Sequence, residues 1–520
     1  MLRRVFRCLA SIAIPAGLLA TDLSVSSSSE LQRALNDAHP GDNVVLRAGA
    51  VFTGNFVLPN KGPINAYITI RSSQSDSLQP GARVRPDDGR FMAAIVTPNM
   101  GPAIDAADGA NHYRLIGLEV RPAPGVYVSD LVRLGSGLTA SANALPYDFV
   151  LDRVYIHGDA RVGSKRGVAL NCRQVVIQNA YISDFKSTDQ DAQAVCGWNG
   201  PGPFTVSNTY LEASGENIMF GGAQPAIPGL VPSDIAIEGN YFFKPLSWQP
   251  GNPAYTGTRW SVKNLLEMKN AQRVRISGNV FENNWASSQS GFAILFTVRA
   301  SGDPTAVVKD VAFRDNLVSN TPGGVNILGI DDSVKPAVGQ TSNIVISNNL
   351  FTGVANILFQ ILTGAKSITF AHNTGLQGGS VVVADGLPSP GLVFRDNMIA
   401  KGTYGFFGSG AGSGTAALIA YFPGYVFQKN VVIGADPEHY PPGNYYPKDV
   451  VEVGFADYAN GNLALGPGSR FARAGSEGSA PGADVKALQP VFEAARSGRG
   501  PLNGRPSSPA QITPARNGKM

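Results

Sequence analysis

Apolar and polar residues alternate over short stretches of this chain, and the same pattern returns along most of its length. In residues 274–281 and again in residues 311–318, a strand-like alternation ends at an Asn; strongly apolar stretches follow at residues 292–298 and 325–330. Alternation with a period of two is typical of β-strands, and an Asn directly after a strand indicates a turn. The chain therefore contains a repeated strand–turn unit.

The turn Asn recurs at intervals of 24 to 39 residues. Its positions are Asn179, Asn208, Asn240, Asn279, Asn316, Asn349, Asn373, Asn397 and Asn430. Self-similarity at such a period indicates a solenoid. The shortest interval suits one closed turn of three short strands, with apolar side chains inside and Asn side chains bonded coil to coil. The sequence predicts an all-β fold, a single-stranded parallel β-helix whose longer intervals are inserted loops.

An amphipathic helix is predicted near the N-terminus. Residues 27–42 place Leu31 and Leu35 on one face, Ser29 is a candidate N-cap, and a Pro-Gly pair stops the pattern. A helix at this point would cover the open end of the solenoid, whose strand edges otherwise invite aggregation. We expect this capping helix ahead of a first strand at residues 43–47.

The two ends of the chain differ in composition from the repeats. Residues 1–20 have a basic start followed by an apolar run that is too short to span a bilayer, which predicts a signal peptide and a secreted or periplasmic protein. We expect the β-helix with its cap over residues 21–435 and a loop-rich C-terminal cap over 436–493. Residues 494–520 are rich in Gly, Pro and Ser, which predicts a disordered tail.

The charge distribution limits the binding partners that we expect, and the cysteine content allows two states of the thiols. Eight basic residues and no acid lie in the leader and tail, so the remaining body has a net charge of −4, although the whole chain has +4. The positive charge of the whole chain therefore gives no support for binding to nucleic acid. We expect a monomer that binds no membrane once the leader is removed. Cys172 and Cys196 are 24 residues apart and could stack on neighbouring coils, as free thiols or as a disulfide.

The N-terminal residues carry a family resemblance. The matching residues are Glu30-Leu31-Gln32, Leu35, Pro40-Gly41-Asp42, Val44-Val45-Leu46, Gly49 and Phe52-Thr53-Gly54. This stretch resembles the N-terminal cap of secreted β-helix polysaccharide lyases, in particular the alginate lyase and chondroitinase B group of the pectin-lyase-like superfamily. The repeats extend the similarity to about residue 435. The resemblance implies a right-handed coil, in line with the general crossover rule, and cleavage of an acidic polysaccharide.

Stacking of the predicted strands gathers scarce charged residues on one outer face. The strands are 191–198, 216–222, 264–270, 292–299, 325–331 and 356–362. The charged residues on them are Asp191, Glu216, Glu267, Lys269, Arg299 and Asp331. Alternation turns Glu267 and Lys269 outward. We expect Thr297 and Arg299 to occupy the same two places one coil further on.

Such a patch suits β-elimination of a uronate polymer. The reaction needs a base for the C5 proton, an acid for the leaving oxygen, and a cation to offset charge on the carboxyl group. Lys269 would be the base if its surroundings lower its pKa, and Arg299 the acid or oxyanion partner. Glu267, Glu216 and Asp191 could hold Ca²⁺. In the resembled family, a Glu strand with a Lys shortly after it precedes a strand ending in Arg, as Glu267, Lys269 and Arg299 do here.

The candidate substrate-binding residues are His157, Arg166, Trp198 and Asp331. Simpler interpretations stay open: His157 as a turn residue, Trp198 and Trp285 as loop anchors, and Glu267 with Lys269 as a solvated surface pair.

The sequence leaves three candidate functions open, and it favours a polysaccharide lyase. A glycoside hydrolase could use paired carboxylates at Asp189 and Asp191 or at Asp331 and Asp332. The third function is non-catalytic, that of a glycan-binding or cell-surface β-helix.

Overall fold

The computed structural model describes residues 20–299 and 303–499, which form a right-handed parallel β-helix. The predicted all-β solenoid is confirmed. Residues 1–19 of the predicted signal peptide, and the predicted tail from residue 500 onward, lie outside the described residues. None of the helices in the described ranges has both the length and the apolar character that a membrane span requires.

Each full coil contributes one strand to each of three walls. Wall A is a sheet of 14 parallel strands: Asp22–Val25, Asn43–Leu46, Ile68–Ser72, Asn111–Ile116, Tyr147–Asp152, Arg173–Gln178, Phe204–Ser207, Ser233–Glu238, Ala271–Ser277, Val307–Arg314, Gln340–Ser347, Lys366–Ala371, Val393–Arg395 and Val426–Gln428. Wall B follows wall A along the chain: Val51–Thr53, Ala93–Thr97, Leu118–Pro122, Tyr155–His157, Tyr181–Phe185, Tyr210–Ala213, Tyr241–Phe243, Val280–Glu282, Thr374–Gly375, Met398–Ala400 and Val431–Ile433, with the first halves of Leu317–Leu328 and Leu350–Leu362.

Wall C completes each coil. Its strands are Phe56–Leu58, Ile104–Ala106, Asp130–Leu134, Arg166–Leu170, Gln193–Gly197, Glu216–Phe220, Leu266–Met268, Phe292–Thr297, Val382–Asp385 and Phe406–Gly408, with the second halves of Leu317–Leu328 and Leu350–Leu362. These two long strands turn the corner between walls B and C, so the two walls form one sheet. Short antiparallel pairs form at Gly412–Ser413 against wall C and between Phe455–Asp457 and Asn462–Leu465.

A ladder of Asn side chains runs along the corner between walls A and B. Its members are Asn240, Asn279, Asn316, Asn349, Asn373, Asn397, Asn430 and Asn444. Each Nδ2 donates to the Oδ1 of the next member at 3.0 or 3.1 Å. The predicted ladder is confirmed from Asn240 onward, and Asn444 adds one further Asn at its end.

The prediction that Asn179 and Asn208 belong to the ladder is wrong. Ser207 pairs with Glu238, which places Asn208 one position ahead of the ladder. Thr209 fills the ladder position instead, and its N–H donates to Asn240 Oδ1 at 2.9 Å. Asn208 and Asn179 have positive φ and bond to each other. Sequence spacing misses a one-residue offset of this kind because both positions lie in the same turn.

The N-terminal helix α1 (Ser28–Asp37) packs Leu31 and Leu35 into the end of the core. Its N-cap is Ser27 rather than Ser29, and the Glu30 carboxylate accepts the backbone N–H of Ser26 and Ser27. The helix is also shorter than predicted. A strand at Asp22–Val25 precedes it and pairs with Asn43–Leu46, so the helix does not lie ahead of the first strand.

Three further helices lie near the C-terminal end: α2 (Thr415–Tyr421), α3 (Val450–Val453) and α4 (Val485–Ser497). Short 3₁₀ helices lie at Ser75–Ser77, Pro86–Phe91, Leu246–Trp248, Pro437–His439, Tyr458–Asn460 and Ser476–Gly478. Helix α4 packs Leu488 and Phe492 against Val280, Leu317 and Leu350 on the outside of wall B. Residues 494–497 are therefore helical, and the prediction of disorder from residue 494 is wrong for them.

Candidate functional site

The outer face of wall C brings charged residues from successive coils into columns. The first column contains Asp130, Arg166, Gln193 and Glu216. The next outward column contains Ala169, Cys196, Met219 and Glu267. We call Asp191, Glu216, Lys263, Glu267 and Lys269 the wall C patch. The prediction that coiling brings Glu216 and Glu267 to one wall is confirmed.

Glu267 and Lys269 form a largely buried ion pair on this face. Lys269 Nζ lies 3.6 Å from Glu267 Oε1, and the two side chains are 16% and 2% exposed. Thr297 Oγ1 and Asn264 Nδ2 donate to the two oxygens of Glu267 at 3.2 and 3.1 Å. This pair is not a solvated surface contact. A carboxylate so buried is held by its partners in one geometry.

Two glycines allow the backbone of the preceding coil to lie close to the backbone next to Lys269. Gly221 and Gly222 follow the preceding wall C strand with φ of +89° and +86°. A Cβ on Gly221 would lie 2.5 Å from the backbone N of Asn270. Both the backbone conformation and the close contact require glycine here.

The register between this coil and the next differs from the prediction. Glu267 pairs with Leu295 and Met268 with Phe296, so the expected match of Thr297 to Glu267 is wrong by two residues. Beyond these strands the backbone N–H of Arg299 donates to the Lys269 carbonyl at 3.0 Å, so the two residues are neighbours on adjacent coils. The Arg299 side chain donates to Asp331 at 2.9 Å, with 42% of it exposed and Asp331 buried.

Lys263 joins the two other acids of the patch, and the sequence analysis missed it. Its Nζ lies 2.6 Å from Asp191 Oδ2 and 3.8 Å from Glu216 Oε1. Gln193 Nε2 donates to Glu216 Oε2 at 2.8 Å, whereas Glu216 Oε1 is buried without a hydrogen-bond partner. Lys263 precedes the predicted strand at residues 264–270 by one position. The available signal was a cation directly before the strand that carries Glu267 and Lys269.

Burial and neighbouring charge shift the pKa values of the patch. Burial raises the pKa of Glu216 to about 7; Glu267 and Asp191 add to the rise, and the two lysines oppose it. Burial by itself lowers the pKa of Lys269, but the nearby Glu267, Glu216 and Asp191 outweigh it and raise the pKa above its usual value. The condition that the surroundings lower the pKa of Lys269 is therefore not met.

The predicted Ca²⁺ ligands do not fit a metal ion as they are arranged. Within residues 20–299 and 303–499, no three His, Cys, Asp or Glu side chains are placed to hold one. Calcium takes six to eight oxygen ligands. Asp191, Glu216 and Glu267 instead surround the ammonium groups of Lys263 and Lys269.

Arg166 and Trp198 belong to the same face. Arg166 donates to Asp130 at 2.9 Å and to Gln193 at 3.1 Å, and its guanidinium lies 4.9 Å from the Trp198 ring centre. Since Gln193 also donates to Glu216, a continuous polar chain links Arg166 to the wall C patch. Trp198 is partly exposed, but Gly137 packs against its ring, since a Cβ on Gly137 would lie 2.4 Å from Trp198 Cζ2.

His157 lies on wall B instead of wall C. Its ring contacts Glu119 Oε1 at 3.1 Å and the Gly158 carbonyl at 3.0 Å, and it stacks on Tyr155. The structure does not bring His157 to the wall C patch.

A tryptophan cluster fixes the loop that carries Lys263. Trp248, Trp260 and Trp285 are all buried around Val262. Trp285 is therefore a loop anchor, one of the two roles considered for it. Because Val262 immediately precedes Lys263, this packing sets where the lysine leaves the backbone.

A second missed lysine, Lys244, is fully buried behind the patch. Its Nζ donates to the carbonyls of Ala213, Ser214 and Gly215 and to Asn217 Oδ1, at 2.7 to 3.2 Å. Burial lowers its pKa to about 7. These bonds fix the backbone of residues 213–215, which directly precede Glu216. Because Lys244 is isolated from solvent, its role is structural.

The two cysteines are not neighbours. Cys196 pairs in register with Ala169 on the outer face, while Cys172 lies in the apolar core. Both are free and buried thiols. The expected stacking fails because Cys172 comes after its wall C strand has ended.

Comparisons with known proteins support the fold. No family model matches the chain, and no curated protein matches it. The catalytic unit of a thermostable GH87 α-1,3-glucanase from Streptomyces thermodiastaticus strain HF3-3 matches with a TM-score of 0.52 and 15% identity, over 84% of this chain and 71% of that one. This likeness concerns the fold alone.

Two lyases of known structure also match, with lower scores. A PL6 family alginate lyase, AlyGC, has a TM-score of 0.47 and 12% identity, over 89% of this chain and 58% of that one. A mannuronic acid specific family 6 lyase from human gut microbiota has a TM-score of 0.47 and 12% identity, over 92% of this chain and 100% of that one.

Proposed function

We propose that this chain is an exported enzyme that cleaves an acidic polysaccharide by β-elimination. One observation carries the proposal: Lys263 and Lys269 present ammonium groups on the outer face of one wall, over carboxylates buried beneath them. Buried ionisable groups are costly to maintain for stability alone, and they cluster at functional sites. The family resemblance of the N-terminal cap and the alginate lyases among the structural matches support the same class of substrate.

In this mechanism each residue of the face has one task. Because neighbouring acids raise the pKa of Lys269, the small fraction of it that is neutral accepts the C5 proton of a uronate, and Glu267 holds the side chain in position. Lys263 offsets the charge that builds on the uronate carboxylate. Arg299, oriented by Asp331, donates a hydrogen bond to the leaving oxygen, which takes up a proton from water, and Lys269 then returns the C5 proton to solvent. No step requires a metal ion.

Substrate binding would use the remaining exposed groups. The exposed part of the Trp198 ring would contact a sugar, and Arg166 beside it offers a charge for a second carboxylate. The polar chain through Gln193 would couple this contact to Glu216.

The test is an assay on purified protein with alginate, pectate, chondroitin, dermatan and hyaluronan. Elimination creates unsaturated uronate ends that absorb ultraviolet light. We expect such absorbance with at least one polymer, and its loss in Lys269→Met and Arg299→Ala with unchanged far-UV circular dichroism and melting. Lys366→Met, an exposed lysine on wall A, is the matched control and should retain full activity. Retained activity in both site variants would contradict the proposed roles.

A glycoside hydrolase is the second candidate. The observation in its favour is Glu216, a carboxyl group whose pKa is raised by burial and by the nearby Glu267, as the acid of an acid–base pair requires. The carboxylates first considered for this role are engaged elsewhere, Asp191 by Lys263 and Asp331 by Arg299. New reducing ends without ultraviolet absorbance would favour the hydrolase. Polymer binding without either product would favour a non-catalytic glycan-binding protein.

A further inference from the structure

A cavity of about 340 Å³ lies outside the corner where the chain passes from wall A to wall B. Two segments that are far apart in sequence form it. One is residues 77–91, between the strands Ile68–Ser72 and Ala93–Thr97, and the other is residues 497–499 at the end of helix α4. The volume is within the range of about 300–1,000 Å³ that is typical of small-molecule sites.

One buried arginine joins the two segments. The backbone N–H of Arg83 donates to the Gly498 carbonyl at 2.9 Å. The Arg83 side chain belongs to a residue that is only 8% exposed, and it donates to the carbonyl oxygens of Ala495 and Asn208 at 2.7 and 3.1 Å. The fold therefore fixes the relative positions of the two sides of the cavity.

The cavity has an excess of positive charge. Its charged lining residues are Arg83, Arg85, Arg90, Arg499 and Asp88. Among residues 20–299 and 303–499, no carboxylate forms an ion pair with any of these four arginines, unlike Arg166 on wall C and Arg273 on wall A. Asp88 instead accepts the backbone N–H of Arg85 at 2.8 Å. This concentration of cations stands out because the body of the chain has a net charge of −4.

Apolar side chains form another part of the lining. Leu78 and Val84 are buried where they line the cavity, and Phe91 is partly exposed. The guanidinium of Arg90 lies 4.7 Å from the centre of the Phe91 ring. A bare oxyanion would leave the apolar lining unused, and a neutral sugar would leave the arginines unused. A uronic acid has both a ring with a hydrocarbon face and a carboxylate.

We propose that this cavity is a second saccharide site, which binds one uronate residue of an acidic polysaccharide without cleaving it. Arg90 and Arg499 donate to the carboxylate, and Arg85 adds to the positive charge around it. The sugar ring packs against Phe91. None of these residues takes part in the elimination mechanism, so the binding is independent of the proposed function. A second contact on the same polymer would raise the overall affinity through multivalency.

The experiment is a titration of purified protein with sodium D-glucuronate, followed by ligand-observed NMR. This monosaccharide has no glycosidic bond to cleave, so failure of the enzymatic proposal and failure of this inference are separate results. We expect saturable binding that weakens as NaCl is added, because salt screens the arginines. D-Glucose, which has no charge, and sodium sulfate, which has no ring, should each bind about tenfold more weakly or not at all.

Variants locate the site. Arg90→Gln should weaken glucuronate binding about tenfold, and adding Arg499→Gln should weaken it about tenfold again. Arg33→Gln is the matched control, since Arg33 is an exposed arginine of helix α1 that does not line the cavity, and it should leave the affinity unchanged. Lys269→Met should also keep the binding, since Lys269 lies at the wall C patch.

Three results would overturn the inference. The first is an absence of saturable glucuronate binding. The second is binding that Lys269→Met removes and the double arginine variant keeps, which would place the uronate on wall C. The third is sulfate binding as tight as that of glucuronate, which would mean an anion site without a sugar subsite. If the double variant does not fold, the two single variants are compared, and unchanged affinity in both contradicts the inference.

Discussion

The asparagine ladder and the wall C patch are both stacks of polar side chains on the same β-helix. They differ in how completely their polar atoms are hydrogen-bonded. In the ladder each Oδ1 accepts both a side-chain and a backbone N–H of the preceding member, as Asn316 does for Asn279. In the patch, Glu216 keeps an oxygen with no hydrogen-bond donor. A neutral, fully bonded stack stabilises the fold. A charged stack with incomplete hydrogen bonding lowers the stability of the fold, and such groups cluster at sites that bind or react with a ligand.

The ladder should be the more costly of the two to break. Asn316→Leu removes the acceptor for two N–H groups of Asn279 and the donors to Ile276 O and Asn349 Oδ1, all of them buried. We expect a loss of about 3–6 kcal/mol in the free energy of unfolding, measured by denaturant titration.

Asn343→Gly is the control for this change, because Asn343 is exposed and bonds only to Asp310 at 2.7 Å on the surface. It should cost less than about 1 kcal/mol. Equal losses in the two variants would show that the ladder is not a special source of stability.

In the patch, neutralising a residue should increase stability. The pKa of Glu216 is raised from 4.5 to about 7 in the folded protein. Between these values the folded state keeps a proton that the unfolded state has released, so this carboxyl lowers stability as pH rises. Glu216→Gln should therefore be more stable than the wild type above neutral pH by on the order of 1–3 kcal/mol.

The gain from Glu216→Gln should disappear as the pH falls below 4.5, where the wild-type carboxyl is protonated in both states. Denaturant titrations of both proteins across this range measure the difference. A variant that is less stable than the wild type at high pH would show that the Glu216 charge is well compensated.

Exposed ion pairs of the same coils should matter least. Arg273 makes two bonds to Asp234 at 2.7 and 2.8 Å, but the two side chains are about half exposed. Arg273→Ala should lower the free energy of unfolding by less than about 1 kcal/mol, and the difference should shrink in high salt. A larger loss would mean that wall A depends on surface charge.

The sequence predicts the ladder better than the patch for a physical reason. From Asn240 onward the repeated turn position holds Asn each time, so spacing alone identifies Asn240 to Asn430 as a series, whereas Thr209 takes that position one coil earlier. The patch depends on strand register and on inserted loops, which have no period. Lys263 was missed because it enters from such a loop, and the predicted match of Thr297 to Glu267 failed by two residues of register.

The C-terminal helix shows the same limit of sequence reasoning. The last residues of helix α4 fall in the stretch 494–520, whose Gly, Pro and Ser content favoured disorder from residue 494. Its apolar face is explained only by the outward apolar residues Val280 and Leu317 of wall B, which it covers. Long-range packing of this kind overrides local composition.

The central claim is that Lys269 is the base of an elimination reaction, and a pH profile of kcat/KM tests it most directly. Since neighbouring carboxylates raise the pKa of Lys269 above its usual value, its neutral fraction is small at neutral pH. We expect kcat/KM to rise about tenfold per pH unit through the neutral and mildly alkaline range, with the same slope in Glu216→Gln. A profile that levels off near the Glu216 pKa of about 7, and that Glu216→Gln abolishes, would contradict the account and assign the base to Glu216.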